Sequence, residues 1–188
     1  PLHNLRNLRV ALRTMLHDHA LRLSHRKITV STVGLLPALR KLTEELPVNL
    51  AISLNATTEE QRRQVMPITN KYSLAELLQT CRDIPLPHGK KITFEYVMMA
   101  GFNDSLEDAV RLINLLNDIP SKINLIPYNE NPDRAIKRPA FEQVKAFQTY
   151  IVSRGIHCSI RRTRGIDISA ACGQLGKTFL KQQTGANK

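Results

Sequence analysis

The chain has 188 residues, 42% of them hydrophobic, and carries 27 Lys plus Arg against 16 Asp plus Glu, for a net charge of +11. That length suits one domain with a sizeable core and excludes a small disulfide-stapled scaffold. No apolar run reaches the length of a membrane span and no signal peptide opens the chain, so a membrane partner is not expected and a reducing cytoplasm is.

The positive charge is spread along the chain rather than massed in one block. It recurs at Arg6, Arg9, Arg13, Arg22, Arg26 and Lys27, then at Arg134, Lys137 and Arg138, then at Arg161, Arg162 and Arg164. Dispersal of this kind describes a basic folded surface, for which a polyanion such as RNA is the natural partner. The three cysteines, Cys81, Cys158 and Cys172, are odd in number and far apart. They form neither a disulfide framework nor a zinc site, and no metal ligand set is expected in the chain. Pro1 is not an initiating residue, and a processed N-terminus or a piece of something longer is expected.

In chain order, Leu5, Leu8, Leu12, Met15 and Leu16 repeat at helical spacing. Ile28–Thr32 then has strand composition. Leu36, Leu39, Leu42 and Leu46 predict a second helix, with Pro37 tolerated in its first turn. Val48–Leu54 is a second strand. Ser73 and Glu76 form a capping-box pattern ahead of Leu77, Leu78 and Cys81. Ile92–Val97 is a third strand, and Asp104 or Ser105 caps the helix carrying Val110, Leu112, Ile113, Leu115 and Leu116. Ile123–Pro127 is a fourth strand. Phe141, Val144, Phe147 and Ile151 make the apolar stripe of a helix ending at Gly155. His157–Ile160 is a fifth strand. Cys81 and Cys158 fall on apolar faces and are expected in the core.

Strand starts recur roughly every 20 to 45 residues with helices between, the pattern of α/β units with parallel strands. A doubly wound sheet and a barrel both satisfy it. No GxGxxG or P-loop pattern follows any strand, which argues against a Rossmann or NTPase fold. One domain over 1–176 and a polar, fraying tail over 177–188 are expected.

In parallel folds the functional groups gather at the C-terminal ends of the strands. Here those ends read Ser31-Thr32-Val33-Gly34, Ser53-Leu54-Asn55, Glu95 and Tyr96 leading to Gly101-Phe102-Asn103-Asp104, Tyr128-Asn129 and Arg161-Arg162-Thr163-Arg164. The recurrence suggests a small polar ligand such as a nucleoside. The last end leads to Cys172 in Ala171-Cys172-Gly173. Cations nearby favour the thiolate, and arginines clamp phosphate, so covalent chemistry on a nucleotide is indicated.

Taken in order, Ile28–Gly34, Ala51–Ala56, Phe94–Met98, Asn124–Asn129, Arg161–Gly165 and Ala171–Leu175 resemble the RlmN family of radical S-adenosylmethionine (SAM) RNA methyltransferases, across nearly the whole chain. The resemblance implies the later strands of a partial (β/α) barrel of radical SAM type, with the N-terminal barrel units missing. It implies methylation of carbon 2 of an adenine in 23S ribosomal RNA, and in some members of transfer RNA. That carbon is electron-poor and cannot attack the methyl of SAM, which makes a radical route reasonable. By resemblance Cys172 accepts a methyl from one SAM, and a second SAM, cleaved at a 4Fe-4S cluster fed by an electron donor, supplies the radical that activates it.

The resemblance also carries SAM contacts to Ser31, Ser53, Leu54, Asn55 and Asn129, and RNA or loop-ordering roles to Arg161, Arg162 and Arg164. The complete enzyme would be a monomer. The cluster motif CxxxCxxC does not occur in this chain, so its ligands are expected in the missing N-terminal part, and the fragment alone is expected to be inactive. Asn55 stands where the family usually has His, and Ile166 and Ser169 where acids are common. The competing readings are a relative that methylates carbon 8, a non-catalytic RNA-binding remnant, and a generic α/β domain with an inert cysteine.

Overall fold

The computed structural model describes residues 1–130 and 135–161. Within them a helix α1 (Leu5–Leu16) precedes strand β1 (Thr29–Thr32), and α2 (Leu36–Glu45) leads to β2 (Asn49–Ser53). Two helices, α3 (Glu59–Val65) and α4 (Leu74–Asp83), lie between β2 and β3 (Ile92–Met98). Then come α5 (Leu106–Leu116), β4 (Ser121–Pro127), α6 (Phe141–Ser153) and β5 (Cys158–Ile160). All five strands pair in parallel, in the order β1-β2-β3-β4-β5.

That order decides between the two architectures that the sequence left open. A doubly wound sheet reverses its strand order partway, which places helices on both faces. Here every crossover steps to the next neighbour in one direction. With right-handed connections all the helices fall on one face, as in the wall of a (β/α) barrel. Burial along the strands agrees. In β3 the residues Ile92, Phe94, Tyr96 and Met98 are buried, while Thr93, Glu95 and Val97 between them are half-buried.

The core lies between this face and the helices. Leu39 and Leu42 of α2, Leu77 and Leu78 of α4, Leu112 of α5 and Phe147 of α6 pack with Ile52, Phe94, Ile123 and Leu125 from the sheet. Tyr96 stacks on Phe147 with ring centroids 5.7 Å apart. Its hydroxyl donates to the Asn103 carbonyl over 2.9 Å, so the one polar atom on this buried ring is satisfied. Cys81 and Cys158 are both buried here, and burial pushes each thiol up to about 12.

Local signals set most helix ends. Ser73 with Glu76, and Ser105 with Asp108, form complete capping boxes. Arg154 ends α6, and Gly155 follows with φ 80°, a conformation that favours glycine. Two sequence expectations need correction. Phe141 belongs to no core stripe: it is the first residue of α6 and is 66% exposed, because the helix face that packs begins at Val144. Helix α3 was not expected at all. Its sequence, Glu-Glu-Gln-Arg-Arg-Gln-Val, has no apolar periodicity, yet Thr58 caps it by accepting from the Gln61 N–H.

Candidate functional site

The helix-free face of the sheet is polar. Side chains alternate along each strand, so register partners share a face. On this face Ser31 lies beside Ala51, and Ala51 beside Thr93, which neighbours Lys122. One step toward the strand tips, Ser53, Glu95, Asn124 and Ser159 run side by side across four strands. Ser31, Lys122 and Ser159 are exposed, and Ser53, Glu95 and Asn124 half-buried. A buried parallel sheet has apolar side chains on both faces, so a row of hydroxyls, an amide and a carboxylate marks this one as a surface for a polar ligand.

The row is internally organised. Ser31 Oγ donates to Glu95 Oε2 over 3.2 Å, and Ser159 Oγ to Asn124 Oδ1 over 3.1 Å. Arg161 continues β5, its N–H donating to the Leu125 carbonyl over 2.8 Å, and its side chain is exposed. Alternation places it on the same face as Ser159. Asn129 follows two residues after the end of β4 and is half-buried.

Two expected ligand contacts are used inside the protein. Leu54 is fully buried; its N–H donates to the Glu95 carbonyl at 2.9 Å and its carbonyl accepts from Arg62 Nε at 3.3 Å. It therefore positions Ser53 and Asn55 and presents no side chain to a ligand. Asn55 sits at φ 61°, a left-handed conformation that Asn tolerates better than most residues. Its Oδ1 accepts from the Val97 N–H at 3.0 Å, its Nδ2 lies 3.4 Å from Met66 Sδ, and its carbonyl accepts from Asn103 Nδ2 at 2.8 Å. These contacts fasten the tip of β2 to β3. Cys172, Arg162 and Arg164 lie outside the described residues.

Behind the tips stands a buried polar layer. Asn103, with no exposed surface, donates to the carbonyls of Asn55 and Val97, both over 2.8 Å, and accepts from the Met99 N–H over 2.7 Å. Asp108 accepts from Thr57 Oγ1 at 2.7 Å and from Arg111 Nη2 at 2.6 Å, with Ser105 and Gln61 also donating to it. Burial alone pushes its carboxyl up, but these hydrogen bonds outweigh it and hold the group below the ordinary carboxylate range. Arg62 is buried as well. The sequence reading noted Glu95 on the third strand without giving it a ligand role, and missed Asn124, Ser159 and Arg62. Glu95 was visible in the alternation of β3, and Arg62 would have followed from the Thr58–Gln61 capping pattern that starts α3.

A cavity of about 230 Å³ lies at the opposite, N-terminal ends of β2 and β3, lined by residues including Glu45, Asn49 and Lys90. It is remote from the strand tips. Among the described residues no helix is long and apolar enough to cross a membrane, and no group of three or more His, Cys, Asp or Glu could hold a metal ion.

No family model matches the chain. The dual-specificity RNA methyltransferase RlmN of Anaeromyxobacter sp. (strain Fw109-5) is 55% identical over 175 residues, which cover 93% of this chain and 46% of that protein. The RlmN of Geobacter sulfurreducens is 51% identical over 189 residues, covering 100% of this chain and 52% of the relative. The chain thus spans about half the length of the curated relatives it matches. A radical SAM methyltransferase from Sphaerobacter thermophilus superimposes with a TM-score of 0.86 at 37% identity, covering 93% of this chain and 51% of that one. A domain of a pyruvate-formate lyase-activating enzyme from Bacteroides vulgatus, at TM-score 0.67 and 17% identity, shares the fold alone. By sequence and by fold, this chain is similar to the C-terminal part of the RlmN radical SAM methyltransferases.

Proposed function

We propose that this chain supplies the SAM-binding strand tips, the RNA-facing arginines and the methyl-carrying cysteine of a cytoplasmic radical SAM methyltransferase that modifies carbon 2 of an adenine in 23S ribosomal RNA, and in transfer RNA as a second substrate. The observation that carries the reading is the polar row on the helix-free face, in a chain whose RlmN relatives are 51–55% identical.

The donor set fits SAM. Hydroxyls at Ser31 and Ser53, the Glu95 carboxylate and Asn129 suit an amino-acid group and a ribose, which offer both donors and acceptors. Glu95 holds the Ser31 hydroxyl in one orientation. Bound SAM would supply the methyl group and the radical chemistry, which the protein itself cannot generate. The described residues do not fit a 4Fe-4S cluster. Cys81 and Cys158 are buried, and burial keeps both thiols protonated. We therefore assign the cluster to another part of the whole enzyme and its electron donor to a separate partner, and derive no step through them.

In this reading Arg161, Arg162 and Arg164 hold phosphates beside Cys172. The target adenine must leave its stack to reach the sheet face, which favours single-stranded or loosened RNA. Equilibrium dialysis of SAM against the 188-residue chain tests the ligand assignment. Binding that weakens by up to about tenfold in Ser31→Ala, as loss of one hydrogen bond predicts, supports it. Equal binding by Ser31→Ala and wild type, or none by either, counts against it.

A further inference from the structure

Arg62 is 1% exposed, yet among the described residues no carboxylate bonds to its guanidinium. Nε donates to the Leu54 carbonyl at 3.3 Å, one terminal nitrogen to Thr69 Oγ1 at 2.9 Å, and the other to the Val33 carbonyl at 3.0 Å. Glu59, three residues back on the same helix, acts on it through space only, and its oxygens accept from Arg63 and from the Leu74 N–H. A buried charge solvated only by neutral acceptors is expensive, and it persists where the fork geometry is needed.

The two carbonyls it holds have a common character. Val33 precedes Gly34, at φ 98°, and Leu54 precedes Asn55, at φ 61°. These are the left-handed turns that take the chain off β1 and off β2. At the first, a Cβ on Gly34 would lie 2.7 Å from a Leu77 methyl carbon, so that turn is packed down against α4. Ser31 stands just before the one turn and Ser53 just before the other. One side chain therefore clamps both turns and is itself anchored by Thr69.

We propose that Arg62 is a positioning residue for the ligand site: its guanidinium fixes the tips of β1 and β2 relative to each other, and so sets the spacing of the Ser31 and Ser53 hydroxyls. The functional part of this assignment rests on the reading of those serines as SAM contacts. A lysine cannot replace the fork, because an ammonium is a compact charge that does not span three acceptors in one plane.

The test is amide hydrogen exchange on the 188-residue chain, wild type against Arg62→Lys, with SAM dialysis on the same samples. The probes are the N–H groups of Gly34, bonded to Thr32 Oγ1, and of Leu54, bonded to the Glu95 carbonyl. The controls are Ile123 and Tyr128, whose N–H groups bond across β4 and β5 and across β3 and the end of β4. The expected result is exchange faster by about tenfold or more at Gly34 and Leu54, with the controls unchanged, and weaker SAM binding. Unchanged exchange at the probes, or an equal rise at probes and controls, would overturn the proposal. If Arg62→Lys does not fold, Thr69→Val removes one anchor only, and a smaller rise confined to the same two probes is expected; none there overturns it. Wild-type protein that binds no SAM would sink the reading of the serines, while the exchange comparison would still decide the clamp.

Discussion

Ser31 and Glu95 are bonded at 3.2 Å although they stand on strands that are not neighbours. Strand β2 runs between them, and two strand spacings put their backbones roughly 9.5 Å apart. On that strand Ala51 pairs with Ser31 and Ser53 with Glu95, so the bridge crosses between these two small side chains. A methyl side chain leaves room for the glutamate to reach across, and Ala51 is buried even though it lies on the helix-free face.

From this follows a first prediction. Ala51→Leu fills the space beside the bridge and separates Ser31 from Glu95. The overpacking is expected to destabilise by about 1–3 kcal/mol, and SAM binding is expected to fall to the level of Ser31→Ala. Denaturant unfolding and dialysis read the two effects. Full SAM affinity in this variant would show that the bridge does not shape the site.

A second prediction concerns pH. The Asp108 carboxyl is held below its ordinary value of 3.8 in the folded chain. A depressed folded pKa contributes stability that is present above the unfolded pKa and is lost as pH falls through the folded one. Unfolding midpoints are therefore expected to drop below about pH 3.8. Asp108→Asn should lack that step, and Asp108→Ala should cost about 3 kcal/mol at neutral pH, because Thr57 and Arg111 lose a buried partner. An identical acid profile in wild type and Asp108→Asn would contradict this.

A third uses the thiols. Cys81 and Cys158, pushed up to about 12, are expected to resist a thiol reagent at pH 7.5 until the chain unfolds. Raised folded values also mean that stability is full below the ordinary thiol pKa of 9.0 and falls as pH climbs from there toward 12. Mass spectrometry of the native protein should find label on Cys172 alone. Early label on Cys81 or Cys158 would show that the core opens readily.

A fourth concerns RNA. If Arg161, Arg162 and Arg164 meet phosphates, replacing each by Ala should lower the slope of log affinity against log salt by about 1. Filter binding at several salt concentrations measures it. Affinity that is flat with salt in the wild type would remove the electrostatic basis of RNA binding.

The strands and most helices were legible because their signals are local. Strand composition between turn or polar residues marked all five strands, β-branched residues dominating several of them, and Ser73 and Ser105 announced their helices. Boundaries moved where pairing, not composition, decided them. β4 starts at Ser121 because Ser121 and Lys122 pair with Ile92 and Thr93. Barrel against doubly wound sheet could not be read, since strand order is a non-local property. The polar residues at the strand ends were visible in the sequence, but not which of them the fold uses internally. Leu54 and Asn55 turned inward to tie β2 to its neighbours, and Arg62 lies in a short charged helix with no apolar periodicity to announce it.

The central claim is that these residues serve adenine carbon-2 methylation. The most direct measurement grafts residues 1–175 in place of the matching segment of the Geobacter sulfurreducens RlmN and expresses the chimera in cells lacking their own enzyme. Nucleosides from their ribosomal and transfer RNA are then analysed by mass spectrometry. The account predicts 2-methyladenosine, absent when Cys172 is replaced by Ala. Appearance of 8-methyladenosine instead, or RNA binding without any methylated adenine, would contradict it.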